Sequence, residues 1–124
     1  MTLKPLAFVV EDDPILNDIN CLTLEPYFQV ESYLRGDLAF EALDFHVPDL
    51  IVLDINLPGM SGEKILKKLR GSERFLSIKI ILTTADNIQA ATLDSLADIV
   101  LLKPISPNQL KEMAVRVSKS MEKK

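Results

Sequence analysis

A chain of 124 residues, 48% apolar and 26% charged, carries enough apolar mass for one packed core and too much for a disordered segment. Its formal net charge of −4 disfavours wholesale nucleic-acid binding, and no apolar run reaches the length of a membrane span. The single cysteine, Cys21, excludes an intrachain disulfide and a thiolate zinc site, which fits a reducing cytoplasm.

The N-terminus, Met1-Thr2-Leu3-Lys4-Pro5, lacks the pattern of a signal peptide. Residues 6–10 form a first apolar run, which ends in Glu11-Asp12-Asp13-Pro14. There Asp13 caps and Pro14 opens a predicted helix over 14–25, and the Glu25-Pro26 step closes it. Cys21 falls in the apolar period of that helix, which predicts a buried structural thiol rather than a nucleophile. A second strand is expected over 29–33 and a second helix over 36–44. His46 is the only histidine, so it has no partner for a zinc site; its place before Val47-Pro48 predicts a surface loop.

Residues 50–53 are apolar throughout and bounded by Pro48 and Gly59, the pattern of a strand buried on both faces. The run stops at Asp54 and opens a loop. Ser61 caps a predicted helix over 61–70, with Ile65, Leu66 and Leu69 inward and Lys64, Lys67 and Lys68 on the wet face. A fourth strand over 79–83 leads into Thr84-Ala85. The segment 87–96 has sparse apolar positions and is the weakest of the helices. A fifth strand over 98–102 ends at Lys103-Pro104. Ser106-Pro107 repeats the cap-then-proline device for a last helix over 107–121, lined on one side by Leu110, Met113, Ala114, Val117 and Met121. The basic tail from Lys119 to Lys124 reads as a solvated helix end, where cations suit the dipole.

Five strands alternating with five helices predict an α/β fold, with a parallel sheet covered by helices on both faces. There is no repeat and no linker. The expectation is one domain over 1–124, without a DNA-binding or catalytic output segment.

Open α/β sheets place their chemistry at the carboxyl ends of the strands. Glu11 and Asp12 end the first strand and Asp54 ends the third. If those strands are neighbours, three carboxylates converge, and hard oxygen ligands of that charge suit Mg²⁺ or Mn²⁺. Lys103 ends the fifth strand as a compact positive charge, and Thr84 offers a hydroxyl beside the small Ala85. Taken singly these are a helix cap with solvated charges, a strand-terminal threonine and a surface lysine. Together they put a divalent ion on one side of Asp54 and an ammonium and a hydroxyl on the other. That constellation suits attack by a carboxylate on a phosphoryl donor, giving an aspartyl phosphate.

The segments Val9-Val10-Glu11-Asp12-Asp13-Pro14, Asp54-x-x-x-Pro58-x-x-x-Gly62, Thr84-Ala85 and Lys103-Pro104, in this order and each at a strand end, resemble the receiver domain of two-component response regulators across essentially the whole chain. The resemblance implies a five-stranded parallel sheet in the flavodoxin-like order 2-1-3-4-5. It implies Asp54 as phosphoacceptor and Glu11 and Asp12 as the acidic pair, with Asp12 favoured as the direct metal ligand. It further implies Asn56 as the donor of a backbone carbonyl to Mg²⁺, Thr84 as the switch hydroxyl, Lys103 as the family lysine and a cis Lys103–Pro104 bond. The implied partners are a sensor histidine kinase or histidine phosphotransfer protein and a downstream protein that the sequence does not name. Direct contact with nucleic acid or membrane is not expected, nor is an enzyme acting on other substrates. The implied state is a cytoplasmic monomer or weak dimer.

Two departures stand out. Val100 occupies the place where the family carries a switching aromatic, and Leu96-Ala97-Asp98 lacks the glycine often found there. Output is therefore expected from the loop after Thr84 and from the soft fourth helix. Asn56 and Asp86 hold the positions that tune dephosphorylation in the family; Asp86 either orients a hydrolytic water or caps the next helix. Three other readings compete. A binding-only receiver need not keep Glu11, Asp12, Asp54, Thr84 and Lys103 together. A Mg²⁺-dependent aspartyl-phosphate phosphatase would pair its nucleophile with a second acid where Asn56 stands, and would need a cap domain. A nucleotide-binding flavodoxin-like protein would carry a glycine-rich loop where the acidic triplet lies.

Overall fold

In a computed structural model of the chain, residues 3–122 are described, with side chains through Lys119. The strands are β1 (Leu6–Val10), β2 (Gln29–Tyr33), β3 (Leu50–Asp54), β4 (Lys79–Thr84) and β5 (Ile99–Leu102). The helices are α1 (Pro14–Leu24), α2 (Gly36–Ala42), α3 (Gly62–Arg70), α4 (Asn87–Leu93) and α5 (Pro107–Glu122), with short 3₁₀ turns at Glu73–Phe75 and Asp94–Leu96. All strand pairs are parallel, and the sheet order is β2-β1-β3-β4-β5, as the resemblance implies.

Strand alternation divides the core in two. Phe8, Val10, Ile51, Leu53, Ile80 and Leu82 point to one face and pack against Ala39 of α2, Ile65, Leu66 and Leu69 of α3 and Leu93 of α4. Ala7, Val9, Leu50, Val52, Ile81 and Leu101 point to the other and meet Leu24 of α1 and Leu110, Ala114 and Val117 of α5. Met113 is half-buried on that face, and the expected lining by Met121 lies outside the described side chains, as does the tail beyond Lys119. Because β3 is buried at all five positions, Asp54 is carried on the most enclosed strand of the sheet.

The helix starts follow their caps. The Asp13 carboxylate accepts from the N–H groups of Ile15 and Leu16, Ser61 Oγ from Lys64 N and Ser106 Oγ from Gln109 N. The boundaries differ where local chemistry intervenes. α2 stops at Ala42 rather than at residue 44, because Asp44, Phe45 and His46 turn back onto Glu41 and Ala42 carbonyls. β5 begins at Ile99, one residue late, because the Asp98 carboxylate is spent on Ile80 N at 2.7 Å and on Arg70 at 3.0 Å. The weak fourth helix is seven residues long and tightens into a 3₁₀ turn.

Three side-chain placements correct the sequence reading. Lys68 does not sit on the wet face: its ammonium binds the Phe40 carbonyl and the Asp44 carboxylate and lies 3.7 Å from the centre of the Phe40 ring. Cys21 is half-buried rather than buried, donating to Asn17 Oδ1, and burial raises its pKa. α1 leaves Ile15 and Leu22 exposed, so its apolar period is only partly core. His46 is exposed in a loop as expected, 3.1 Å from Glu31.

The loop from β3 to α3 is held at both ends by close backbone contacts. Gly62 N donates to the Ile55 carbonyl at 2.7 Å, and Gly36 N donates to the Pro58 carbonyl at 3.0 Å. A Cβ at Gly62 would run into the Asp54 carbonyl oxygen, a backbone atom unable to yield without moving the strand end. Gly62→Ala is expected to cost about 1–3 kcal/mol of stability, the usual penalty of forcing an atom into a filled site. A urea denaturation series beside the parent chain checks this; an unchanged midpoint would show that the strand end yields freely.

Candidate functional site

The carboxyl ends of β1, β3, β4 and β5 form one rim. β1 and β3 are neighbours, with Val10 beside Leu53, so the acids that follow them meet. Oxygens of Glu11, Asp12 and Asp54 lie within 4.8 Å of one another. Glu11 and Asp54 are buried, while Asp12 is exposed.

Two buried carboxylates this close require a cation. Lys103 provides it across the sheet: its Nζ is 2.8 Å from Glu11 Oε1 and 2.9 Å from Asp54 Oδ2. Burial pushes the Lys103 ammonium down, but its bonds to Glu11 and Asp54 prevail and hold its pKa above the usual lysine value. Burial raises the Glu11 carboxyl above its ordinary value; the bonds from Lys103 and from the Asp13 N–H oppose this, and the nearby Asp54 charge adds to it.

The remaining oxygens are placed by backbone. Asp54 Oδ1 accepts from Asn56 N at 3.1 Å, and Glu11 Oε2 accepts from Asp13 N at 3.2 Å. Thus Asp13 serves as helix cap and as backbone donor to Glu11, and its carboxylate is not among the converging three. Lys103 is brought to the rim by its own N–H, which donates to the Thr84 carbonyl at 2.8 Å, and the Lys103–Pro104 peptide is cis, as implied.

Thr84 is fully buried at the end of β4. Its Oγ1 accepts from Asp86 N at 3.1 Å and donates to Gln89 Oε1 at 3.0 Å. The Asp86 carboxylate accepts from Ile88 N and Gln89 N, so Asp86 is the cap of α4, one of the two roles open to it. Val100 is half-buried against the core on the α4 side of the sheet.

Two residues of the site were not legible in advance. Asn17, buried in α1, donates through Nδ2 to the Glu11 carbonyl at 3.0 Å and to the Tyr33 carbonyl at 3.1 Å, tying the end of β1 to β2. Its signal is a polar residue at the inward period of α1, shared with Cys21 and Leu24. Gln89 exchanges long amide contacts of 3.3 and 3.4 Å with Asn56 and bridges it to Thr84. Nothing in the spacing of a surface glutamine announces that bridge.

The acids suit a divalent cation by their chemistry: three hard oxygens, one of them exposed, beside a rim open to water. An apolar-walled cavity of about 340 Å³ opens beside the cluster, lined by Glu11, Leu16, Thr83, Ala85, Lys103 and Ile105.

Comparison with known proteins bears on the family and the fold. Residues 7–115 match the family described as response regulator receiver domain. The chain is 36% identical over 112 residues to the phosphate regulon transcriptional regulatory protein of Rhizobium meliloti, covering 87% of this chain and 49% of that protein. It is 34% identical over 110 residues to hybrid signal transduction histidine kinase D of Dictyostelium discoideum, covering 86% of this chain and 7% of that protein. The chain thus spans about half or less of these relatives. Among solved structures, the signal receiver domain of a signal transduction histidine kinase from Syntrophus aciditrophicus superposes with a TM-score of 0.87 at 26% identity, over 97% of this chain and 94% of that one. A chemotaxis response regulator of Vibrio cholerae shares the fold, with a TM-score of 0.83 at 23% identity over 94% of this chain and 99% of that one.

Removing the cation from this cluster leaves two buried carboxylates facing each other. Lys103→Met is expected to lose about 3 kcal/mol, the low end for breaking a buried pair because the ammonium keeps some contact with water. Adding Asp54→Asn should restore part of that loss. Urea denaturation of the single and double variants checks both, and additive losses would show that the charges are not coupled.

Proposed function

The chain belongs to the response regulator receiver domain family, and we propose that it is a phosphoacceptor whose reactive group is the Asp54 carboxylate. The observation that carries this reading is the double contact of Lys103 Nζ with Asp54 and Glu11, with Asp12 beside them. Asp54 has an ammonium on one side, which can offset the charge of an incoming phosphoryl group, and on the other an acidic pair able to hold a cation that would do the same.

The donor is a phosphohistidine of a sensor histidine kinase or a histidine phosphotransfer protein. An Asp54 oxygen attacks phosphorus, the phosphorus–nitrogen bond breaks, and the imidazole leaves with its electron pair. Lys103 stays at the site and pairs with the oxygens of the transferred group. The Asn56 N–H donates to Asp54 Oδ1 and helps to orient the carboxylate. Glu11, Asp12, Asp54 and the Asn56 carbonyl would hold Mg²⁺, or Mn²⁺ in its place. When bound, the ion supplies positive charge to the phosphoryl oxygens. Glu11 is already engaged by Lys103 and Asp13 N, which favours exposed Asp12 as the direct ligand. The product's charge at the sheet rim shifts a two-state equilibrium at a surface read by a downstream protein. The chain acts as one receiver domain over 1–124 and turns over no substrate besides its own aspartyl phosphate.

Incubation with acetyl phosphate and Mg²⁺, followed by intact-mass measurement, tests the reading. The expected result is one phosphoryl adduct in the parent chain, none in Asp54→Asn and none after EDTA. No adduct, with beryllofluoride and Mg²⁺ also leaving the amide spectrum unchanged, would favour a receiver that binds partners without phosphate. A titration with Mg²⁺ separates the acids: Asp12→Asn should weaken binding by about tenfold or more, the worth of one charged ligand, while Asp13→Asn, which still caps α1, should leave it in place.

A further inference from the structure

Val100 has no ring to move and no hydroxyl to offer, so an aromatic cannot report the state of Thr84 to the far side of α4. Another group already touches that hydroxyl. Gln89, the third residue of α4, accepts the Thr84 Oγ1 hydrogen at 3.0 Å, and its amide faces the Asn56 side chain at 3.3 and 3.4 Å. A threonine hydroxyl has a single hydrogen to give. Here it is given to Gln89, while Asp86 N occupies the oxygen.

A phosphoryl group on Asp54 presents acceptors only. Its oxygens can recruit Thr84 only if the hydroxyl turns away from Gln89. The helix that bears Gln89 is poorly anchored: it is seven residues long, Leu93 is its one buried side chain, and Ile88 is 79% exposed. Loss of one contact at its first turn therefore bears on the whole element.

Resting on the phosphoacceptor reading above, we propose that Gln89 is the positioning residue that couples the site to α4. It holds the Thr84 hydroxyl in the unmodified state, competes with the phosphoryl group for its one hydrogen, and releases α4 when it loses. Asn56 is the second anchor of the same amide, so the loop after Asp54 and the start of α4 are tied through Gln89.

The experiment is a beryllofluoride titration with Mg²⁺, followed by amide spectra of the parent, Gln89→Leu, Thr84→Val and the double variant. In the parent, the amides of Ile55 and Asn56 should shift together with those of residues 87–93. Gln89→Leu removes the competing acceptor, so beryllofluoride affinity should rise about three- to tenfold, the worth of one neutral hydrogen bond. Its α4 amides should lie toward the bound positions before any ligand is added. In the Thr84→Val background the gain from Gln89→Leu should vanish, since no hydroxyl remains to be freed. Should Gln89→Leu unfold, Gln89→Met is read in the same way. An unchanged affinity, or a gain that survives in the Thr84→Val background, overturns the coupling role while leaving Asp54 as acceptor. No shift at Ile55 and Asn56 in the parent overturns the phosphoacceptor reading, and this proposal falls with it.

Discussion

The ammonium of Lys103 is held between two buried carboxylates that reach it from different strands. Glu11 follows β1, Asp54 ends β3 and Lys103 follows β5, so their meeting requires the sheet order in which β1, β3, β4 and β5 are consecutive. Both carboxylates are buried, so losing that cation is costly, and the observed strand order is what brings it within reach of both. The same arrangement places the cluster at the strand ends, where the backbone of β3 gives way to a loop.

Below the rim, alternation of buried side chains lets both faces of the sheet carry apolar cores, so the rigid part of the molecule lies directly under the acids. The loop that follows Asp54 is fixed by backbone contacts from Gly62 and Gly36 and by Ile55, Leu57 and Met60, which pack on the core. Asn17 performs a similar office on the other side, binding the Glu11 and Tyr33 carbonyls. The strand ends around the carboxylates thus rest on hydrogen bonds from three neighbouring elements, two from backbone N–H groups and one from the Asn17 side chain.

The softness is equally localised. α4 is short and lightly buried, and its first turn depends on the Asp86 cap and on the Gln89 amide. The sparse apolar positions of this segment foreshadowed a marginal helix, and the short α4 with its 3₁₀ extension agrees. In the proposed switch, a rigid rim and a marginal neighbour are joined through one hydroxyl, which is the arrangement a small charge change can bias.

Periodicity and punctuation decided much of this protein in advance. Residues 50–53 read as a strand buried on both faces because they are apolar without interruption, and Asp13-Pro14 and Ser61 read as helix starts because capping is a local event of three or four residues. The acids, the threonine and the lysine were legible as strand-end residues for the same reason. What sequence left open was every contact made at long range by an ordinary side chain. Lys68 looked solvated until α2 supplied a ring and a carbonyl for it and the turn after α2 the Asp44 carboxylate, and Asp98 looked like the start of a strand until Arg70 and Ile80 N claimed its carboxylate. Gln89 and Asn17 acquire their roles only when α4 and α1 are laid on the sheet, because a hydrogen bond between residues far apart in the chain leaves no period behind. Local hydrogen bonds and burial patterns are written along the chain; the partner of a polar side chain is chosen by the fold.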